Sequence, residues 1–262
     1  MPTGKRRALI CGVNYDAQLK SGVMSQLDLA PVAAKLGAQG VEYREVYWKD
    51  NKEKELSAIR EQLDRLGMER MYATYTFLFN RDVEKQKQLM RDLEDAHALG
   101  VPLMRVFRGE RPGDGPEDAY ILDAAREVIE RARSWGMKLA LENRADPLTP
   151  YRMEEIKETI DRMDSASLEV NIDTYNYAVS NQSPVDAVKL LGQHIIYVHM
   201  KDVLAIPGGF KPTYLGNGTL AIADIVAALD GTGRDFAYCF EFDGEGDAEN
   251  AITRSIEYLG QL

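Results

Sequence analysis

Four residues that can bind a metal ion end four successive strand-like segments in the second half of the chain. These residues are Glu142, Asp173, His199 and Glu241. Three converging carboxylates would repel one another unless a cation lay between them. Three oxygen donors and one imidazole form a hard ligand set. We therefore expect one divalent ion, with Mn2+ as the first choice and Mg2+, Co2+ or Zn2+ as alternatives.

The alternation of side chains along a strand supports this grouping. Residues two apart share a face, so Glu142 lies on the same face as Ala140. The large apolar residues between such pairs take the opposite face, where helices would cover them. Asp173 and Glu241 follow the same pattern, and His199, which shares its face with Tyr197, follows it less clearly.

Each of these residues has a simpler explanation when it is taken alone. An acidic residue at the end of a strand is usually a helix cap or a solvated charge, and a lone histidine is usually a core or surface residue. The prediction of a metal site depends on the coincidence of four matching positions. A cation there could polarise a substrate carbonyl, while two flanking carboxylates could move protons.

Short apolar segments alternate with longer amphipathic segments along the whole chain, and this pattern predicts eight parallel strands joined by helices. The predicted strands are residues 8–13, 41–46, 71–76, 103–107, 138–141, 168–172, 195–198 and 236–240. Eight such units predict an α/β fold, a closed (β/α)8 TIM barrel, in which active sites lie at the carboxyl ends of the strands. No change in composition marks a boundary, so we expect residues 1–262 to form one domain. The irregular stretch 203–220 should lie over the barrel mouth.

Composition argues against several classes of protein. The net charge is −10, and the only tight basic cluster is Lys5-Arg6-Arg7, so we expect no nucleic-acid partner. No apolar run reaches the ~18 residues of a membrane span, and no signal peptide is evident. Cys11 and Cys239 lie in apolar runs and read as buried thiols, in agreement with a cytoplasmic location.

The site segments also resemble a known family. Leu141-Glu142-Asn143, Ile172-Asp173, Val198-His199-Met200-Lys201-Asp202 and the late Glu241 resemble the xylose isomerase-like barrel superfamily of sugar isomerases and epimerases. The glycine-containing segment 215–220 and the segment 104–109 resemble the loop before helix seven and the fourth strand of that superfamily.

The resemblance implies a reaction and a set of roles. Glu142, Asp173, His199 and Glu241 would bind one divalent metal ion. Glu142 and Glu241 would also form the acid/base pair of an epimerase or isomerase acting on a keto-sugar. A small-molecule sugar would be the partner, and no membrane is implied; a homo-oligomer stays open.

The same resemblance suggests residues that contact substrate. Lys201, Arg105 and Arg108 are placed to do so, although Lys201 fits an ion pair equally well and Arg108 fits a surface position. Asn176 stands where epimerase members often carry a sugar-binding histidine, and Ala205 stands where they tend to carry an arginine. These departures weaken the case for a simple ketose 3-epimerase.

Several alternatives stay open at this point. Members of the superfamily also include dehydratases and lyases acting on keto-cyclitols or 3-keto-glycosides, which share the proton-abstraction step. A nuclease of the endonuclease IV type needs many histidine ligands, whereas this chain has three histidines. A non-catalytic sugar-binding barrel or partner subunit would keep the pocket. The aromatic residues of segment 72–79 fit a pocket wall, a core or an oligomer contact.

Overall fold

Eight parallel strands close into a barrel with helices around it, which confirms the predicted fold. The computed structural model describes residues 6–49, 51–145, 151–244 and 246–262; Lys5 of the predicted basic cluster lies outside them. The strands are β1 (Arg7–Cys11), β2 (Gly40–Arg44), β3 (Glu69–Phe79), β4 (Leu103–Gly109), β5 (Lys138–Glu142), β6 (Leu168–Asp173), β7 (Ile195–His199), β8 (Asp202–Ile206), β9 (Gly209–Thr213) and β10 (Ala237–Phe240). Strands β1 to β7 follow one another around the barrel, and β10 closes it between β7 and β1.

The helices end where the sequence places helix-stopping glycines. Gly37, Gly67 and Gly100 adopt positive φ values of 80°, 62° and 77° directly after three of them, a conformation that costs glycine little. The helices are α1 (Asp16–Ser21), α2 (Leu29–Leu36), α3 (Lys52–Leu66), α4 (Val83–Leu99), α5 (Ala119–Ser134), α6 (Met153–Met163), α7 (Thr174–Val179), α8 (Pro184–Leu191), α9 (Ile222–Asp230) and α10 (Ala248–Gln261). No helix among the described residues combines the length and the apolar character that crossing a membrane requires.

Side chains alternate between two buried layers. The barrel interior contains a small apolar cluster that includes Ala140, Tyr197 and Cys239. Leu139 and Leu141 belong instead to the larger core between strands and helices. The face that carries Ala140 therefore points inward, as predicted, and the next residue on that face is Glu142.

Strand register places the candidate ligands at one end of the barrel. Asp173 pairs with His199 across β6 and β7, and Cys239 of β10 pairs with His199 from the other side. Glu142 ends β5 opposite Asn171. Glu241 directly follows β10, so all four candidate ligands lie at the carboxyl ends of neighbouring strands.

The stretch 203–220 is more regular than predicted. Its first part completes an antiparallel hairpin of β8 and β9, in which Ile206 pairs with Gly209 around a tight turn. Gly208 in this turn has a φ of 85°. The glycines and prolines that suggested an irregular loop instead permit the hairpin turn and the bend after it.

Candidate metal centre

The structure brings together the four residues proposed as metal ligands. One ligand atom from each of Glu142, Asp173, His199 and Glu241 lies within 4.8 Å of the others, and all four side chains are buried. A side-chain amide helps to hold them. The Asn143 side chain joins β5 to β6 through hydrogen bonds to both the N–H and the carbonyl of Asp173.

One ring nitrogen of His199 faces the carboxylates, and the other contacts a fourth acidic residue. Its Nε2 lies 2.6 Å from Oε2 of Glu42, a fully buried residue of β2. Its Nδ1 lies 3.0 Å from Glu241 Oε2 and 3.2 Å from Glu142 Oε2, yet makes no hydrogen bond of acceptable geometry. A carboxylate that accepts a hydrogen bond from Nε2–H keeps the proton on that nitrogen. The lone pair of Nδ1 is then free to bind a metal, as in many metal sites.

The two carboxylate oxygens of Asp173 have different partners. The buried Oδ2 lies 2.6 Å from the Lys201 ammonium, while Oδ1 accepts the backbone N–H of Asn176 at 2.9 Å and so caps α7. Buried polar atoms without hydrogen bonds are uncommon in folded proteins. The His199 Nδ1 is such an atom, and it lies 4.0 Å from Asp173 Oδ2; both atoms are donors suited to a divalent cation.

Three buried cations pair with the same carboxylates. The Lys201 ammonium lies 2.6 Å from Asp173 Oδ2 and 2.5 Å from Glu241 Oε2. The Arg105 Nε lies 2.8 Å from Glu142 Oε2. The Arg44 guanidinium donates to Glu241 and to Glu42. With the four candidate ligands, Glu42 and these three cations form what we call the ion cluster.

Burial and charge set the protonation of the cluster in the metal-free protein. Burial raises the pKa of Asp173 to about 8, even though the Lys201 ammonium lowers it. Burial would also raise the pKa of Glu142 and Glu241, but the neighbouring cations outweigh it and hold both values below normal, Glu241 more strongly. Burial lowers the pKa of His199, but the surrounding carboxylates, Glu42 first, raise it well above its usual value.

The predicted substrate residues fall into two groups. Lys201 and Arg105 belong to the ion cluster. Asn176 lies beside it, but its amide donates to Glu142 Oε1 at 3.3 Å and to the Asn143 carbonyl at 3.0 Å. Arg108 does not join them, because it lies an odd number of residues from Arg105 and so takes the opposite face of β4.

On that outer face Arg108 has partners of its own. Its Nη1 lies 3.4 Å from a carboxylate oxygen of Glu155, and its guanidinium stacks on the Tyr151 ring. The predicted contact of Arg108 with substrate therefore has no support from the geometry.

Sequence reasoning missed Glu42 and Arg44. Both lie on the inward face of β2, on the opposite side from the buried Val41 and Tyr43. The alternation rule applied to the later strands would have found them, had it been applied to this early strand as well.

Asp202, which follows Lys201, organises the loop after the hairpin. Its carboxylate accepts the backbone N–H groups of Gly216, Gly218 and Leu220 at 3.1, 3.0 and 2.9 Å. A Cβ atom on Gly218 would lie 2.3 Å from Asp202 Oδ1. The aspartate and the glycine loop thus form one structural unit, and Lys201 pairs with candidate ligands rather than with Asp202.

The aromatic residues of β3 divide between the core and the barrel mouth. Tyr72 and Phe79 are buried in the core outside the barrel. Tyr75 is 46% exposed, and its ring centroid lies 5.5 Å from Cζ of both Arg44 and Arg105. Of these aromatic residues, Tyr75 therefore lies at the ion cluster.

Solved structures with the same architecture cover almost the whole chain. The probable 3-DHS dehydratase AsbF from Bacillus anthracis matches with a TM-score of 0.78 and 18% identity over 97% of this chain and 98% of that one. The IolI protein with a bound zinc atom matches with a TM-score of 0.75 and 19% identity over 96% of each chain. A D-allulose 3-epimerase from Methylomonas sp. in complex with D-allulose matches with a TM-score of 0.74 and 16% identity over 98% and 97%.

The sequence itself gives a family match. No curated protein matches the chain significantly. The family described as xylose isomerase-like TIM barrel, however, matches residues 30–262, which include all eight residues of the ion cluster. The chain therefore belongs to the xylose isomerase-like TIM barrel family.

Proposed function

We propose that this protein is a divalent-metal-dependent enzyme that isomerises or epimerises a keto-sugar by removing a proton next to its carbonyl group. The observation that carries the proposal is the convergence of Glu142, Asp173, His199 and Glu241, in which the buried His199 Nδ1 makes no hydrogen bond. Membership of the family and the similarity to an epimerase and a dehydratase support sugar chemistry at the same end of the barrel.

The four converging residues would hold the ion, with Mn2+ as our first choice, and the ion would polarise a substrate carbonyl and stabilise negative charge on its oxygen. His199 would contribute Nδ1, because Glu42 holds Nε2. Asp173 and Glu241, which would help to hold the ion, also pair with the Lys201 ammonium. Lys201 would then give up part of this pairing and would have N–H groups to offer a substrate oxygen.

Glu142 and Glu241 are placed to act as the acid/base pair. They end β5 and β10, with β6 and β7 between them, so they flank the other two candidate ligands. Neighbouring cations hold the pKa of both carboxyl groups below normal, so both are ionised at neutral pH. Arg44 and Lys201 are the cations that lower the pKa of Glu241 most strongly. We infer that one of the two removes the proton next to the carbonyl group and that the other returns a proton to the substrate after taking it from solvent.

A dehydratase or lyase acting on a keto-cyclitol or a 3-keto-glycoside is the second candidate. The specific observation in its favour is Asn176, whose amide is used by Glu142 and Asn143 instead of facing open space as a sugar-binding group would. Elimination needs the same first proton abstraction and then loss of a leaving group, so the ion cluster serves both reactions.

The first test is metal content. The wild-type protein, purified without chelator, should carry nearly one equivalent of divalent metal, and the Glu142→Gln/Glu241→Gln variant should carry far less. Glu130→Gln, which removes an exposed carboxylate paired with Arg133, is the matched control. Deuterium uptake from heavy water into keto-sugars, with product analysis, then separates epimerisation from elimination. Wild-type protein that binds no metal even in excess Mn2+ would overturn the proposal and favour a binding or partner subunit.

A further inference from the structure

A bound divalent metal ion would change the net charge of the ion cluster. Its carboxylates are Glu42, Glu142, Asp173 and Glu241, and its permanent cations are Arg44, Arg105 and Lys201; none of these side chains is more than 9% exposed. Four negative charges face three positive ones, and metal ligands must be deprotonated to bind. A divalent ion would therefore change the summed charge of these seven side chains from −1 to +1, a change that favours an anionic ligand and that the nearby Glu45 carboxylate opposes only in part.

Arg105 has an unused donor at this place. Its side chain is fully buried, its Nη1 donates to the Thr74 carbonyl at 2.5 Å, and its Nε lies beside Glu142. Its Nη2 makes no hydrogen bond. A buried guanidinium with an open N–H edge is suited to a carboxylate or a phosphate, whose oxygens match its planar donors.

A second guanidinium lies on the same aromatic ring. The Cζ of Arg105 is 4.3 Å from the centroid of Phe107, and the Cζ of Arg144 is 5.3 Å from it. Arg144 also lies 5.4 Å from the Phe77 ring. Within the described part of the chain, no carboxylate lies at ion-pair distance from Arg144, so its charge is not balanced there.

An irregularity in the pairing of β3 with β4 contains Tyr75, whose ring lies beside Arg44 and Arg105. The register between β3 and β4 shifts between Ala73 and Phe77, and Tyr75 lies inside the shifted segment. Its backbone N–H donates to Glu45 at 2.6 Å, and its hydroxyl accepts from Arg44 at 3.1 Å. The Tyr75 ring thus lies beside the buried guanidinium groups of Arg44 and Arg105 and is itself partly exposed to solvent.

We propose that the substrate is an anionic keto-sugar or keto-polyol, and that its carboxylate or phosphate group binds to Arg105 and Arg144. The proposal rests on the metal-dependent function above and names the substrate class for the same site. The ketone of such a molecule would face Glu142 and Glu241, while its anionic end would lie against Phe107 and Tyr75.

Calorimetric binding to the Mn2+-loaded protein tests this class directly. Three probes share one carbon skeleton: D-fructose is neutral, D-fructuronate carries a carboxylate and D-fructose 6-phosphate carries a phosphate. We expect at least one anion to bind ten or more times tighter than the neutral sugar, with an advantage that shrinks as salt is added. The preferred anion distinguishes carboxylate from phosphate.

Variants of Arg144 test whether this residue binds the anionic group of the substrate. Arg144→Met should lower the ratio of anion to neutral affinity about tenfold, and Arg144→Lys should restore part of it. Arg131→Met is the control, because Arg131 also stacks on an aromatic ring but lies on α5 outside the barrel. Equal affinity for the three probes, no binding of either anion, or an unchanged ratio in Arg144→Met would overturn the proposal. Metal content is measured on the same samples. If the protein binds metal but shows no preference for an anion, only the substrate class is wrong; if it binds no metal, the proposed function is wrong.

Discussion

The Glu42→Gln substitution should weaken metal binding although Glu42 is not itself a candidate ligand. Glu42 is fully buried, and its Oε2 lies 2.6 Å from His199 Nε2. Glutamine keeps the shape of the side chain but removes its charge, so the hydrogen bond that orients the imidazole becomes weaker. Residues that hold a metal-ligating histidine in this way typically contribute 10–100-fold to metal affinity.

The expected magnitude follows from this contact. A hydrogen bond to a charged group contributes about 1.5–3 kcal/mol, and each 1.4 kcal/mol is about a tenfold change in affinity. We therefore expect the dissociation constant for Mn2+ to rise roughly 10–100-fold. Arg44 retains Glu241 as a partner in the variant, so the fold should survive, which circular dichroism can verify.

The assay is competition for Mn2+ with a chelator of known affinity, performed at one pH on three proteins. Glu169→Gln is the matched control, since Glu169 is a buried acidic residue of β6 whose partners are Lys138 and Arg234 rather than the ion cluster. The reasoning fails if folded Glu42→Gln binds Mn2+ as tightly as the wild type. It also fails if Glu169→Gln loses as much affinity.

Three further predictions concern pH, charge and packing. Because the pKa of Asp173 is raised to about 8 in the metal-free protein, Mn2+ affinity should increase as pH rises towards 8, while the stability of the metal-free protein should fall between pH 3.8 and about 8; calorimetry and thermal melts at several pH values check both trends. Lys201→Met removes an ammonium that shares the ligand oxygens, so Mn2+ should bind about tenfold tighter, and unchanged or weaker binding would contradict this. Gly218→Ala should cost about 1–3 kcal/mol of unfolding free energy by a clash with Asp202, whereas Gly209→Ala, which meets no atom within 4 Å, should not.

The candidate ligands could be predicted because their signal is local. A strand shows its buried face through residues two apart, and parallel strands joined by helices place their carboxyl ends together. Glu142, Asp173 and Glu241 each follow this rule within a few residues of sequence. The same rule applied to β4 would have separated Arg105 from Arg108.

Glycine and proline positions predict some features of the fold but not others. Glycines after α2, α3 and α4 mark where those helices end. The hairpin of β8 and β9 was missed because its turn residues, Pro207 and Gly208, are equally typical of an irregular loop. The pairing of Asp202 with Thr213 distinguishes a hairpin from an irregular loop. No local sequence signal predicts that pairing.

Only the tertiary structure determines which first-half residues complete the site. Glu42 and His199 are 157 residues apart in the chain and lie on strands that are not hydrogen-bonded to each other. They meet because the barrel is closed, which brings inward side chains of β2 and β7 across its interior. Arg44 reaches Glu241 for the same reason. The amino-acid sequence by itself determines which residues point inward, but closure of the barrel decides which of their charges meet, because those contacts cross the interior rather than follow the chain.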